Sequence, residues 1–475
     1  MLLLKWKIKS YKLISFFTLV TMELEGNCNL ESEIKRISEK FKEVSKEKEV
    51  LIVSHFDTDG ITSAAIMVKA LKRLDRCFSV EILKSLEKEF VYNLPKNKVI
   101  LFLDLASNAL DYLKEKEMKN IFIIDHHEVS KEIPSGVEII NTELFDKQKI
   151  SASGLSYLFA KQLNPQNKDS AKLAVLGMIG DTLEKDIDKL NHGILEDADV
   201  LIKKGLLIYP STRPINRALE YSSNPYIPGV TGDVCGVIEL LRESSISPES
   251  GKYKSLLELS NEEMERLVTS VMLRCHSEKQ EGIVGNIYLL KMFNKLEDAR
   301  ELSAKINACS RLGDSFSALL FCLENPQIKK QVDSIHIKYR QHIVSGLKYF
   351  NSSKKISGNG FVLFNAQNNI KDTIIGTITS IVSNSSLYPI GTCLASMSYS
   401  GEDKIKVSMR CVGDIGRNLH HLLSKVIEKT GGEVGGHEYA CGAVISREKE
   451  DLFVESLKKD LEIEVVNVDS FIENN

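Results

Sequence analysis

Residues 50–60 read Val-Leu-Ile-Val-Ser-His-Phe-Asp-Thr-Asp-Gly, and the helix-forming run Ile61-Thr62-Ser63-Ala64-Ala65-Ile66 follows at once. The apolar opening predicts a short strand, and Gly60 ahead of a helical run predicts a strand-to-helix turn. In an open α/β sheet such a turn lies at the carboxyl end of the strand, where ligands bind. His55, Asp57 and Asp59 alternate along the chain, so an extended backbone turns all three side chains to one side. That spacing suits a metal ion. It equally suits a polar turn with an Asp as helix cap, and the stretch alone leaves the two readings even.

The surrounding runs decide between them. Strands are predicted over 78–83, 99–105, 120–125 and 137–141, with helical periodicity over 64–74 and 108–116. Val99-Ile100-Leu101-Phe102-Leu103 is apolar without alternation, as a sheet covered on both faces requires. The fold class is therefore α/β, a doubly wound, mostly parallel sheet. Leu103 is followed by Asp104, and Ile124 by Asp125-His126-His127. The apolar helical segment Ala171–Gly180 runs into Asp181, whose ionised carboxylate is costly to bury without a cation. One strand-end Asp is an ordinary cap, and a His-His pair is ordinary on a surface. Four such places at one pole of one sheet point to a metal cleft.

Composition sets the bounds. A chain of 475 residues is long enough for two or three domains. With 43% hydrophobic and 27% charged residues it has the balance of a soluble globular protein. A net charge of −3 excludes binding nucleic acid through bulk positive charge, so a polyanion must be met by a local basic patch or by bound metal. Nine scattered cysteines without a Cys-x-x-Cys pair fit a reducing cytosol, and neither a disulfide framework nor a thiolate zinc site. Lys5, Lys7, Lys9 and Lys12 precede an apolar run over 13–22 that copies a signal peptide. Glu23-Leu24-Glu25 then stands where a cleavage site would be, and the run is too short to span a bilayer. Residues 1–22 are expected to be a leader outside the fold, with Met22 an alternative start, and the protein to be cytoplasmic without stable membrane association.

Residues 193–282 read as a middle insertion, with a Pro-rich stretch over 210–228 and a helix over 261–279. Its Arg213 and Arg217 could meet phosphates, although isolated arginines are more often surface residues. A helix predicted over 326–350, about 37 Å long at ~1.5 Å per residue, reads as a linker. Residues 352–475 return to α/β, with strands over 360–365, 392–398 and 404–410 and helices over 373–382, 415–429 and 449–461. In Gly431-Gly432-Glu433-Val434-Gly435-Gly436-His437 the glycines let the backbone approach a phosphate or base and offer amide donors. Together with Ser408-Met409-Arg410 on the preceding strand, this run reads as a substrate clamp. The expected domains are a leader and N-terminal helix (1–47), a catalytic domain (48–325), the linker helix (326–351) and a smaller substrate-binding domain (352–475).

His-x-Asp-x-Asp-Gly at 55–60, Asp104, Asp125-His126-His127 and Asp181 resemble, in order and type, the motifs of the DHH phosphoesterase superfamily. Ile306-Asn307-Ala308-Cys309-Ser310-Arg311 resembles the Asn-Ala-x-Gly-Arg motif of RecJ-type exonucleases, with Ser310 where Gly is usual. Gly435-Gly436-His437-Glu438-Tyr439-Ala440-Cys441-Gly442 resembles the signature of the DHH-associated domain. The segment from Thr212-Arg213-Pro214 to Gly232-Asp233 and the segment Asp298-Ala299-Arg300-Glu301-Leu302 are similar to archaeal RecJ-like proteins, the group that includes the GINS-associated nuclease.

The resemblance implies that His55, Asp57 and Asp104 hold one divalent ion and that Asp59, Asp104, His126 and Asp181 hold a second, with Asp104 bridging. It makes Asp125 the residue that orients an imidazole and His127 the group beside the scissile phosphate. It assigns Asn307, Arg311, Ser408 and Arg410 to substrate phosphate, and Gly435, Gly436 and His437 to the strand near the cut. An oxygen-rich site with one or two imidazoles per ion favours Mn²⁺ or Mg²⁺ over zinc, and the resemblance implies Mn²⁺. The implied activity is a single-strand-specific exonuclease on DNA, or RNA, in replication or repair. RecJ-type relatives run 5′ to 3′, while archaeal relatives of the opposite polarity leave direction open. GINS and the replicative helicase are the implied partners. Two other readings stand beside this one. A phosphodiesterase of short oligonucleotides or cyclic dinucleotides would lack the extra middle segment and the 307–314 motif, and a replisome scaffold with a decayed site would lack ligands that are all present here.

Overall fold

A computed structural model describes residues 29–462 apart from 130, 146–147, 186, 223–224, 276–281, 386 and 414–415. The expected leader lies outside the described residues. The chain forms two compact units, one from the residues up to Val200 with Ser315–Asn325, the other from Leu201–Asp314 with the residues from Pro326 onward.

In the first unit five strands lie parallel in the order β2-β1-β3-β4-β5. They are β1 Val50–His55, β2 Phe78–Leu83, β3 Val99–Leu103, β4 Ile121–Ile124 and β5 Val137–Ile140. Side chains alternate across the sheet. Leu51, Val53, Ile100, Phe102, Ile121 and Ile123 pack on one face with Val91, Leu110 and Leu113 from short helices. On the other face Phe122 meets Phe41 of the helix Leu30–Val44 edge-on at 5.1 Å, and Phe41 meets Phe159 of the helix Ala152–Leu163 at 5.4 Å. Phe41 is fully buried, and removing such a ring costs about 3–5 kcal/mol. Both faces are covered, as the unbroken apolar strands require, and the α/β doubly wound expectation holds. The strands enter in register, Val50 beside both Phe78 and Val99, so their carboxyl ends lie level along one edge.

The second unit holds two sheets. An antiparallel one joins β6 Leu201–Leu206, β7 Val284–Met292 and β8 Lys295–Asp298 in that order, and the helices Ile215–Glu220, Val234–Glu243 and Asn261–Cys275 close a core of Leu219, Leu240, Leu267 and Leu289. A six-stranded sheet runs β13-β14-β12-β11-β10-β9. Its strands are β9 Ile356–Gly358, β10 Phe361–Asn365, β11 Cys393–Ser400, β12 Lys404–Cys411, β13 Glu433–His437 and β14 Ala440–Ser446. Only β10 and β11 pair in parallel, and the helix Asp372–Ser383 connects them. The helix predicted over 326–350 spans Lys329–Ser352, and its buried stripe Tyr339, Ile343, Leu347 and Phe350 packs with Ile374, Ile378 and Phe364 inside this unit. The glycine run differs from a plain loop, because residues 433–437 form the edge strand β13.

Candidate functional site

β1 delivers His55 to the sheet edge, and the chain turns at once into the helix Thr58–Arg73. Asp57 caps that helix by accepting from the Gly60 amide at 3.0 Å. The turn is tight enough that a Cβ on Gly60 would sit 2.3 Å from the His55 carbonyl oxygen, so glycine is required there. Asp59 in the first turn is buried, and its carboxylate accepts from the amides of Ala152 (2.7 Å) and Ser153 (3.0 Å). These are free N–H groups of the first turn of the helix Ala152–Leu163, which suits a negative charge.

Asp104 follows β3 with φ of 58°, a left-handed conformation uncommon outside glycine, while its amide still bonds to Ile124 O at 2.9 Å. The carboxylate is 2% exposed. Its Oδ2 lies 3.3 Å from His55 Nδ1, which also stands 3.0 Å from Asp57 Oδ2. Its Oδ1 lies 3.4 Å from His126 Nε2, which stands 3.5 Å from Asp181 Oδ2 and 4.0 Å from Asp59 Oδ2. The two oxygens of one carboxylate thus face two separate imidazole and carboxylate sets. Donor atoms of His55, Asp57 and Asp104 lie within 4.8 Å of one another, as do those of Asp59, His126 and Asp181, and those of Asp104, His126 and His127.

Asp125 is a buried anchor beside this cluster. It accepts from the His126 amide (2.8 Å), from the Ser107 amide (3.1 Å) and from His127 Nδ1 (2.7 Å). Asn141 extends the brace, donating to Ser107 Oγ at 3.0 Å and to the His127 carbonyl at 2.8 Å. His127 is half-exposed, with Nδ1 committed to Asp125 and the ring edge toward solvent.

The electrostatics reflect four carboxylates crowded together. Burial and the charge of Asp57 push Asp104 up to about 6, and burial with the charge of Asp59 raises Asp181 well above the usual carboxylate range. Burial pulls His55 down, but Asp104 and Asp57 outweigh it and carry the imidazole up to about 10; His126 reaches about 10 against burial through Asp104, Asp59 and Asp181. Asp125 is buried, which alone would raise it, yet its bond to His127 holds it well below the usual range.

The remaining predicted residues lie in the second unit. Ser408 and Arg410 project from one face of β12, and the strand pairing continues that face through Gly442 to Gly435 and through Ala440 to His437. Gly436, one residue on, belongs to the opposite face; its φ of 116° and a Cβ position 2.6 Å from Ala440 O demand glycine. Arg410 donates from Nε to Ser380 Oγ (3.0 Å) and from Nη1 to the Met409 carbonyl (2.7 Å), with no carboxylate partner among the described residues. Burial and the nearby positive charge of Arg311 both lower its pKa. Arg311 donates to Asn307 Oδ1 at 3.3 Å, one turn back on the helix Ala299–Arg311. Arg213 and Arg217 face Glu301 (3.5 Å) and Glu220 (2.8 Å).

Models of three families match this chain: the DHH family N-terminal domain over residues 49–180, the DHH-CID domain over 208–283 and the DHHA1 domain over 359–462. The chain belongs to the DHH phosphoesterase superfamily. An uncharacterized protein of Methanocaldococcus jannaschii is 27% identical over 442 residues, covering 89% of this DHH chain and 96% of that one. In fold, the DHH chain is similar to CDC45 from Entamoeba histolytica (TM-score 0.65, 12% identity, 90% and 99% of the two chains). It is likewise similar to exonuclease RecJ bound to manganese (TM-score 0.58, 15% identity, 91% and 95%). Among the described residues no helix is long and apolar enough to cross a membrane.

The DHH cluster fits divalent cations on its own chemistry. Asp104 Oδ1 and Asp181 Oδ2 are buried and accept no hydrogen bond, and His55 Nδ1 makes none of good geometry. Like charges about 4 Å apart repel by about 4 kcal/mol at an effective dielectric near 20, so the arrangement calls for positive charge between them. The supports of this DHH site, Ser107, Asn141, the Ala152 and Ser153 amides and Gly177, were not singled out from the sequence. A Cβ on Gly177 would meet Ser153 Oγ at 2.0 Å and Asp59 Oδ1 at 2.3 Å, and the one available signal was a glycine inside an otherwise apolar helix.

Proposed function

We propose that this DHH protein is a metal-dependent exonuclease that hydrolyses phosphodiester bonds of single-stranded DNA, or RNA, with His55, Asp57, Asp59, Asp104, His126 and Asp181 holding two divalent ions, Mn²⁺ ahead of Mg²⁺. The single observation that carries this reading is Asp104, whose two oxygens face two different ligand sets at 3.3 and 3.4 Å. Such an ion pair, when bound, acidifies a water and neutralises charge on the non-bridging phosphate oxygens. The chain's own residues do the rest. The left-handed turn at Asp104 aims its carboxylate between the two imidazoles. Asp125 holds His127 by Nδ1, so that the free Nε2 edge is the one offered to a phosphate oxygen. Arg410 and Arg311, close enough for the charge of Arg311 to disfavour that of Arg410, form a receptor for a substrate phosphate. The glycine row Gly442 and Gly435 leaves a smooth floor beside it on which a strand backbone can lie, with His437 at its rim, and the buried Ser408 continues that face beneath the helix Asp372–Ser383. GINS and the replicative helicase belong to the same reading as the expected attachment sites of an active nuclease, and co-purification with GINS checks that part.

The test is digestion of end-labelled single-stranded DNA and RNA, with and without a 5′-phosphate, in Mn²⁺ and in chelator. Stepwise shortening of single strands only, from one end and only with metal, is expected. Asp104→Ala and Asp181→Ala should lose about 100- to 1,000-fold in rate or more, the scale of removing a main electrostatic contributor, while still binding the strand. Chelator-resistant cleavage, or near-normal turnover by either variant, would overturn the assignment.

A further inference from the structure

Within the second unit, the helices Ala299–Arg311, Lys329–Ser352 and Asp372–Ser383 and the segment at Tyr209 enclose a cavity of about 190 Å³. That is less than the roughly 300–1,000 Å³ of a pocket for a drug-sized molecule, and leaves room for a single ring system. Its lining combines the rings of Tyr209 and the largely buried Tyr339, whose hydroxyl bonds to Thr377 Oγ1 at 3.1 Å, with the amides and hydroxyl of Asn307, Asn384 and Ser380. No carboxylate or lysine lines it.

Two of these polar side chains also hold the arginines. Asn307 accepts from Arg311 Nε at 3.3 Å, and Ser380 accepts from Arg410 Nε at 3.0 Å. Accepting those bonds leaves the Asn307 amide N–H₂ and the Ser380 hydroxyl hydrogen to donate elsewhere. The Asn384 side chain is exposed and bonds to no other described residue, so it can both donate and accept. Flat aromatic walls that stack a ring, beside amides that read its edge, are the means by which proteins hold an unpaired nucleobase.

We infer that this cavity takes the base of the nucleotide whose phosphate rests on Arg311 and Arg410, with Tyr209 and Tyr339 flanking the ring and Asn307 and Asn384 contacting its edge. The inference rests on the assignment of those two arginines to substrate phosphate, and it adds a site for one unpaired base. A base pair is too large for the cavity, so the pocket selects single-stranded ends by size.

Binding without turnover tests it. The full chain in chelator is titrated with inorganic phosphate, deoxyribose 5-phosphate, thymidine, thymidine 5′-monophosphate and deoxyadenosine 5′-monophosphate. Each nucleotide is expected to bind at least about tenfold tighter than deoxyribose 5-phosphate, the scale of one stacked base. Ala304→Met, which extends a side chain into the cavity, should remove that increment and leave deoxyribose 5-phosphate unchanged. Asn384→Ala, at an exposed position that does not threaten folding, should reduce it several-fold. Equal affinity for nucleotides and deoxyribose 5-phosphate would overturn the base pocket and leave the phosphate assignment intact, and so would an increment that neither variant alters. Thymidine bound in an Ala304-dependent manner, with no affinity for any phosphate, would keep the pocket and remove the arginines from the substrate path.

Discussion

Gly177 shows how a residue with no chemistry of its own can govern a metal centre. In the middle of a helix, Gly to Ala ordinarily stabilises by about 1 kcal/mol. Here the added methyl would overlap Ser153 Oγ at 2.0 Å and Asp59 Oδ1 at 2.3 Å, displacing the carboxylate from the two amides that aim it. Overpacking of this kind costs about 1–3 kcal/mol. Gly177→Ala is therefore expected to lower the unfolding midpoint and to weaken Mn²⁺ binding at least tenfold, measured by calorimetric titration. Gly193→Ala is the control, since a Cβ there meets nothing within 4 Å in the helix Lys189–Asp197, and it should stabilise slightly with metal affinity unchanged. Equal behaviour of the two variants would mean that Asp59 is not held as described.

At the level of elements, the edge strand β13 separates two roles of neighbouring glycines. Gly436 has a positive φ and a Cβ site 2.6 Å from Ala440 O, whereas Gly435 faces open space on the side shared with Ser408 and Arg410. Gly436→Ala is expected to destabilise the β13–β14 hairpin, read as faster hydrogen exchange over residues 433–446. Gly435→Ala should leave exchange unchanged and weaken single-strand binding several-fold in a filter or anisotropy assay. The helix Lys329–Ser352 carries a different consequence. His336 is 4% exposed, and burial with the charges of Arg340, Lys305 and Arg213 pushes its imidazole down to about 3. The unfolded chain, at the ordinary value of 6.5, takes the proton first. This contribution to stability is therefore complete above pH 6.5 and is lost as pH falls toward 3. About 2 kcal/mol should go between pH 7 and pH 5, and His336→Gln should flatten that slope in urea midpoints taken at the two pH values; an unchanged slope would place His336 in contact with water.

These elements also show what a sequence can and cannot carry. The parallel strands were legible because burial on both faces leaves an unbroken apolar run, and His55, Asp57, Asp59, Asp104, Asp125 and His126 were legible because they follow the ends of such runs, as Asp181 follows an apolar helix. β6 was not, because Leu-Ile-Lys-Lys-Gly-Leu is an edge strand with four exposed residues and no alternation to mark it. β13 was not, because Glu-Val-Gly-Gly-His has the composition of a loop and becomes a strand only through pairing with β14. Ser107, Asn141 and Gly177 act across 14 or more residues of chain, through contacts that no local pattern records.

For the molecule as a whole, the proposed chemistry rests on one cluster in the first unit and on a pair of ions sharing Asp104. Metals bound to the native state but not to the unfolded chain would also stabilise the first unit, by about 2.7 kcal/mol per ion at a hundredfold excess over the dissociation constant. The most direct measurement is the number and coupling of bound Mn²⁺ ions, by titration calorimetry with electron paramagnetic resonance on the same samples. Two ions per chain with an exchange-coupled spectrum are predicted, and Asp104→Ala should abolish the coupling. A single uncoupled Mn²⁺ in the natural protein, or a coupled pair that survives Asp104→Ala, would mean that Asp104 does not join two ions.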